Sequence, residues 1–194
     1  MEKYELIDSD PTFSRVVRYM RFSDYATWAI GTAAAPALLV ALEKYEPASG
    51  RKFKMPAPMF LRAATLLGFV GGFCLAYNNS TKRFWGWSEN AAEVAKDRYE
   101  VKKLLSQKQS PYGKSELSPY LQDVASRNST NSQLMLAFLP MFNFANHQNH
   151  GIDLRKYYEV RPGEEKWGFE LPALEEVEDL AVGNQYKKYS NYAN

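Results

Sequence analysis

The chain contains two histidines, His147 and His150, which lie three residues apart. Two histidines at that spacing on a helix can share a face and bind a metal ion. Gly151 follows them and favours a turn, and the single cysteine, Cys74, lies far away in an apolar stretch. We therefore favour local hydrogen bonding for the pair, and a small metal-dependent enzyme remains a minor alternative.

Other catalytic patterns are absent from the sequence. It has no P-loop, no dinucleotide-binding glycine pattern, no nucleophile elbow and no HExxH motif. One cysteine cannot form an internal disulfide, and two histidines leave few candidates for a catalytic triad. The formal net charge of +2 gives no electrostatic case for nucleic acid. We expect no catalytic residue, no metal site, no cofactor and no small-molecule substrate of its own.

Two apolar stretches predict a membrane hairpin. They cover residues 24–43 and 59–78, each close to the roughly 20 residues that cross a hydrocarbon core. Pro36 lies inside the first stretch, where a membrane helix tolerates it. Residues 44–58 form a basic loop, and the Lys and Arg count weakly favours this loop facing the matrix or cytosol. Two buried core helices of a soluble protein are the alternative.

Small residues recur every four positions in each span, and residues at this spacing share one helix face. The first stripe is Ala29, Ala33, Ala37 and Ala41, and the second is Ala64, Gly68, Gly72 and Ala76. Such faces let two backbones approach closely in lipid. The partner can be the other span or a foreign helix. For the first stripe, the general abundance of alanine in membrane helices explains the pattern equally well.

No Asp, Glu, Lys, Arg or His lies deep in either span. Proton and ion pathways need such groups, and membrane haem needs axial ligands, so we exclude a transporter, a pump and a cytochrome. Basic and aromatic residues near the span ends are candidates for lipid headgroup contacts. They are Arg62, Lys82, Arg83, Trp85 and Trp87, and a bound phospholipid such as cardiolipin would fit them.

Polar arms flank the hairpin. Residues 1–23 form an N-terminal arm, residues 79–109 an aromatic belt and an amphipathic helix, and residues 110–194 an extended C-terminal arm. Asn90 and Glu93 have the spacing of a capping box. The helix can lie at the membrane interface, dock on a partner or face solvent. We predict an all-α membrane protein, a two-helix transmembrane hairpin with extended, partly helical polar arms.

The apolar run Leu134–Phe144 is too short to span a membrane. We expect it to bury against another subunit or to dip into the interface.

Four blocks carry a resemblance to a known family. They are LIDSDP with RVVRY and SDY at 6–25, FWGWSEN at 84–90, LSPY with ASRNS at 117–129, and FNFANH with HG and YY at 142–158. Together they resemble the fungal 21 kDa accessory subunit of mitochondrial respiratory complex I (NADH:ubiquinone oxidoreductase). Beyond Tyr158 the resemblance fades, and we expect the acidic C-terminal extension to be particular to this chain.

The resemblance implies a non-catalytic subunit of the membrane arm in the inner mitochondrial membrane. Its partners would be other complex I membrane-arm subunits and membrane lipid, and its role would be to support assembly and stability. The acidic N-terminus argues against a cleavable presequence. Arms poor in apolar residues are expected to run over neighbouring subunits and to order on assembly.

Two other functions stay open at this point. One is a two-span subunit of another inner-membrane assembly, such as a protein import or insertion complex. The other is a secretory-pathway membrane protein, because Asn79 and Asn128 begin formal glycosylation acceptor tripeptides.

Overall fold

The computed structural model describes residues 4–47, 50, 52–129, 140–174 and 176. In these ranges the α-helices are α1 (Phe13–Arg18), α2 (Phe22–Tyr45), α3 (Pro58–Phe84), α4 (Ala91–Ser106) and α5 (Pro119–Ser129), and 3-10 helices cover Leu154–Tyr157 and Glu164–Trp167. The same ranges contain no β-strand. The all-helical fold class predicted from the sequence is confirmed.

Helices α2 and α3 form an antiparallel hairpin and are long and apolar enough to cross a membrane. Their 24 and 27 residues correspond to about 36 and 40 Å of helix, against about 30 Å of hydrocarbon core. None of the apolar window of α2 and 22% of that of α3 is buried within the chain. Core helices of a soluble protein would be mostly buried, so this exposure favours the membrane hairpin.

Helix α3 continues beyond the predicted end of the second span at residue 78 and ends at Phe84. The sequence places its last part in the separate 79–109 segment, whereas the structure shows that this part belongs to the same helix. Ser80 and Thr81 are fully buried there. The Ser80 hydroxyl donates to the carbonyl of Val16 in α1 at 2.8 Å. Packing against α1 therefore explains how the helix extends past its apolar residues.

The N-terminal segment lies across the end of α3. The backbone N–H of Ile7 donates to the carbonyl of Phe84 at 2.9 Å, and that of Tyr4 donates to Gly86 at 3.0 Å. Gly86 has a φ of 67°, and a Cβ there would lie 2.5 Å from the Tyr4 carbonyl oxygen. The buried apolar cluster beneath consists of Ile7, Val16, Tyr19, Met20, Ala76, Tyr77, Phe84, Trp85 and Val94.

Helix α4 begins at Ala91 and ends at Ser106, close to the predicted amphipathic helix. Its apolar face packs on the chain's own C-terminal segment, in a cluster of Val101, Leu105, Leu154 and Tyr157. The predicted capping box is wrong. Asn90 makes no side-chain cap and instead donates to the carbonyls of Glu5 and Arg83, both at 2.7 Å.

We name residues 4–20, 85–106 and 140–167 the collar, because they surround the end of the hairpin that carries both arms. The described part of the C-terminal arm thus folds back onto the chain itself. The predicted apolar run is described from residue 140 onward, and its first part lies outside the described residues. So does the tail after residue 176.

Candidate functional site

The hairpin is held together by a contact between glycine backbones. A Cβ on Gly68 would lie 2.7 Å from the Gly31 carbonyl oxygen, and one on Gly72 would lie 2.7 Å from that of Trp28. A Cβ on Gly31 would in turn lie 2.8 Å from the Cα of Gly72. The Trp28 indole N–H donates to the carbonyl of Phe69 at 2.9 Å. The second small-residue stripe therefore packs on the other span of this chain.

The first small-residue stripe lies on the opposite side of α2. Ala29, Ala33 and Ala37 are exposed, and Ala41 is half-buried. The side of α2 that touches α3 carries Trp28, Gly31, Thr32 and Ala35 instead. In the second stripe, Ala64 is half-buried, whereas Gly68, Gly72 and Ala76 are buried. The hairpin thus has one closed small-residue face and one open one.

A buried ion-pair cluster fixes the base of the hairpin. Arg83, near the end of α3, binds both carboxylate oxygens of Asp24 in the first turn of α2. The same guanidinium lies 3.0 Å from the Glu93 carboxylate in α4. Arg21 completes the cluster with two contacts to Glu93, at 2.6 and 2.5 Å. Two cations and two carboxylates therefore tie both spans to the collar.

Two of the residues predicted to contact lipid headgroups are unavailable for that role. Arg83 is 6% exposed and Trp85 is 4% exposed, so the prediction was wrong for both. Their side chains are covered by the N-terminal segment and α4, which sequence reasoning placed elsewhere. Arg62 and Trp87 are exposed, and Lys82 is half-buried. For these three the headgroup contact stays a prediction.

The two histidines lie in the collar with their rings stacked, at 4.6 Å between centroids. His147 Nε2 lies 2.7 Å from the Asp10 carboxylate. Its Nδ1 accepts from the backbone N–H of Asn149, so the proton belongs on Nε2. Both nitrogens of His150 face oxygens, of Asp8 at 2.8 Å and of the His147 carbonyl at 3.0 Å.

The histidines thus use their nitrogens in hydrogen bonds. Two of these bonds, to Asp8 and Asp10, connect them to the N-terminal arm. Among the residues that the structure describes, no group of three or more His, Cys, Asp or Glu side chains could hold a metal ion.

Arg15 links this histidine pair to α4. Its guanidinium lies 2.6 Å from Asp8 and also binds Asp97, whose other oxygen accepts from the Tyr157 hydroxyl at 2.8 Å. Burial alone would raise the pKa of Asp8, but His150 and Arg15 lower it to about 2. Burial raises the pKa of Asp97 despite the neighbouring Arg15. The network joins three distant parts of the chain.

A second network joins α4 to the C-terminal segment. Arg98 is 1% exposed and binds the Glu164 carboxylate with two nitrogens, one of them at 2.9 Å. Lys102 reaches the same carboxylate at 2.6 Å. Hydrogen bonds from Arg98 and Lys102 lower the pKa of Glu164 to about 2, against the effect of burial. These charges lock the segment onto the helix.

Sequence reasoning missed the acidic half of these networks, above all Asp8, Asp10 and Asp97. One signal was present. Arg98 falls within the apolar stripe of α4, four residues after Val94 and three before Val101. A charge at that position faces the buried side of the helix and needs a buried partner. The pattern did not reveal which acidic residue this partner is.

Comparison with known proteins identifies the chain. The family described as "NADH-ubiquinone oxidoreductase complex I, 21 kDa subunit" matches residues 1–89. A second, "C-terminal of NADH-ubiquinone oxidoreductase 21 kDa subunit", matches residues 98–189. The chain belongs to the 21 kDa subunit family of complex I. It is 46% identical over 156 residues to the "NADH-ubiquinone oxidoreductase 20.9 kDa subunit" of Neurospora crassa, covering 80% of this chain and 82% of that relative.

Membership of the 21 kDa subunit family confirms the resemblance and makes the chain a mitochondrial respiratory-chain protein with other complex I subunits as partners. It favours complex I over an import or insertion complex. One expectation was wrong. The C-terminal family match extends to residue 189, so the extension after Tyr158 is not particular to this chain.

Proposed function

We propose that this chain is a non-catalytic accessory subunit that supports the assembly and stability of the complex I membrane arm in the inner mitochondrial membrane. The open alanine face of α2 packs against a transmembrane helix of another complex I subunit. The collar sets the angle at which the hairpin presents that face.

The exposure of Ala29, Ala33 and Ala37 carries this proposal. The closed face of the hairpin uses Gly31, Gly68 and Gly72 for close backbone contact. The alanine stripe takes no part in that contact and stays exposed in the folded chain. In lipid there is no hydrophobic drive between helices, and small residues promote association because backbones can approach closely. An exposed stripe of this kind is typical of a second helix contact.

The collar supports the same proposal because its buried charges are matched within the chain. Asp8, Asp10 and Asp97 each have a cationic, histidine or hydroxyl partner from another segment. A buried charge without a partner would be strongly destabilising. Since these groups need no foreign subunit, the collar can hold the hairpin in place before a partner binds the alanine face.

Membrane lipid is the second partner in this proposal. Lys82 is half-buried and lies just past the apolar stretch, on the same face of α3 as the exposed residues Leu75 and Asn79. Arg62 is exposed near the other end of the same helix. Basic side chains at these levels attract anionic headgroups such as those of cardiolipin. No cofactor is part of the proposal.

The test is to enlarge the open face without disturbing the fold. Ala33→Leu adds three carbons at an exposed position, so the hairpin accommodates it while a closely packed foreign helix does not. We expect less of the variant chain to migrate with NADH dehydrogenase activity on a native gel. Overpacking of this kind costs about 1–3 kcal/mol. That cost would weaken binding of the chain to the complex about five- to 150-fold.

Ala34→Leu is the matched control. Ala34 is also exposed but lies about 100° further round the helix. Equal incorporation of the two variants, both at the wild-type level, would contradict docking through the alanine stripe. The NADH-oxidising activity of complexes that still form should be unchanged, and a loss there would argue against a non-catalytic role.

A further inference from the structure

Aromatic rings form a continuous ladder from the partly exposed side of the hairpin to the collar. Phe69 lies 5.0 Å from Trp28, and Trp28 lies 5.0 Å from Phe73, measured between ring centroids. The ladder continues from Phe73 to Phe142 at 5.9 Å and from Phe142 to Phe144 at 6.1 Å. Its first members belong to the spans, and its last two belong to the collar segment 140–144.

The depth of this segment follows from the helix that it contacts. Phe73 lies inside the predicted span, a little over one turn before its end at residue 78. The ring of Phe142 also packs on Tyr77, at 4.9 Å with the rings perpendicular. A rise of about 1.5 Å per residue places these contacts within one or two turns of the membrane boundary. The segment therefore lies where hydrocarbon meets headgroups.

Two large apolar side chains of this segment are only partly covered by the described part of the chain. Met141 is 50% exposed and Phe144 is 74% exposed. Between them, Asn143 is buried and donates to the Asp10 carboxylate at 2.8 Å, and its carbonyl accepts from the Phe13 N–H at 2.7 Å. The backbone is thus anchored from the inside, with the apolar groups held outward.

We propose that residues 140–144 are an interfacial membrane contact, in which Met141 and Phe144 insert between lipid headgroups and the first acyl carbons. We assign lipid to this surface because the aromatic ladder connects it to the exposed apolar side of the hairpin. The segment 140–144 also carries no charged side chain, and aromatic rings favour this zone of the bilayer. The inference rests on the hairpin crossing the membrane, as in the proposed function.

The test uses two photoactivatable phosphatidylcholines in native inner membranes that contain the assembled complex. One carries a diazirine near the headgroup, and the other carries it at the end of an acyl chain. After irradiation, mass spectrometry of the isolated chain maps the labelled residues. We expect the shallow probe to label Met141 or Phe144, and the deep probe to label exposed span residues such as Leu66 and Leu67 instead.

Val160 is the internal control, because it is 64% exposed and apolar but stands outside the ladder. Neither probe should label it. Phe144→Glu should reduce shallow labelling of Met141 about two- to fivefold, since the aromatic ring is lost and a charge in this zone opposes insertion. Val160→Glu should leave that labelling unchanged.

The possible failures are distinguishable. Deep labelling of the spans without shallow labelling of Met141 or Phe144 would overturn the interfacial contact and leave the hairpin intact. A hairpin that alkaline carbonate extracts from the membrane would overturn both this inference and the proposed function.

Discussion

The hairpin and the collar are stabilised in opposite ways. The two spans meet through Gly31, Gly68 and Gly72, with backbone against backbone. The collar is held by buried charges, such as Arg98 on Glu164 and Arg15 between Asp8 and Asp97. The glycine contact between the spans contains no ion pair, whereas the collar adds these ion pairs to the buried apolar cluster around Val16 and Tyr19.

The contrast between backbone contact in the hairpin and ion pairs in the collar suggests that the two regions have separate roles. Ion pairs fix the collar in one arrangement, because each charge needs its own partner. The hairpin keeps a large apolar surface and an open small-residue face that nothing in the described chain covers. In the proposed function, the collar therefore fixes the orientation of the hairpin, and the hairpin provides the surface that other subunits bind.

The largest expected effect is on the closed face of the hairpin. In Gly68→Leu with Gly72→Leu, the new side chains meet α2 backbone within 3 Å, so the spans must separate. Each site should cost about 1–3 kcal/mol or more. We expect the chain to be lost from the native complex and degraded, as measured by immunoblotting of mitochondrial membranes.

Gly71→Leu is the matched control for that pair. No atom lies within 4 Å of a Cβ at Gly71, so the hairpin should tolerate the change. If the double variant assembled as well as Gly71→Leu, the glycine contact would not be what holds the spans together.

The next effect concerns the ion pairs that join the two regions. Arg83→Met leaves Asp24 without its partner and weakens the hold on Glu93, both of which are buried. Removing one partner of a buried pair costs about 3–5 kcal/mol. We expect a large drop in the thermal unfolding temperature of the detergent-solubilised chain, followed by circular dichroism.

Arg18→Met removes an exposed ion pair instead, that of Arg18 with Glu100. Exposed pairs contribute about 0–1 kcal/mol, so this variant should unfold close to the wild-type temperature. Similar drops in unfolding temperature in the two arginine variants would mean that the buried ion pairs of Arg83 stabilise the fold no more than an exposed pair does.

A smaller effect should appear as acid sensitivity of the collar. Folding lowers the pKa of Asp8 and of Glu164 to about 2, from ordinary values of 3.8 and 4.5. Their stabilisation is present above about pH 4.5 and is lost as the pH falls toward 2. Asp97, whose pKa is raised by burial, opposes this in part. Near-UV circular dichroism should show loss of collar packing in that range.

Glu164→Gln keeps a hydrogen-bond acceptor for Arg98 but cannot titrate. Its acid transition should be shallower than that of the wild-type chain, because one of the two lowered carboxyls is gone. An identical transition in both proteins would show that Glu164 does not contribute to the acid response.

Much of the hairpin was predictable because its determinants are local. Apolar length defined both spans, and the four-residue spacing of Gly68 and Gly72 indicated a packing face. The same spacing could not tell which stripe meets the other span. That choice depends on Gly31 and Thr32, which lie outside the alanine stripe and form the side of α2 that approaches α3.

The collar was largely unpredictable because its contacts are distant in sequence. His147 pairs with Asp10 across 137 positions, and His150 with Asp8 across 142. No local period signals such a pair. The buried state of Arg83 and Trp85 was missed for the same reason, since the segment that covers them begins near Tyr4.

An electron cryomicroscopy structure of the assembled complex tests the central claim most directly. It should show a transmembrane helix of another subunit along Ala29, Ala33 and Ala37, with its axis about 8–10 Å from that of α2. Lipid density covering that whole stripe would contradict the account.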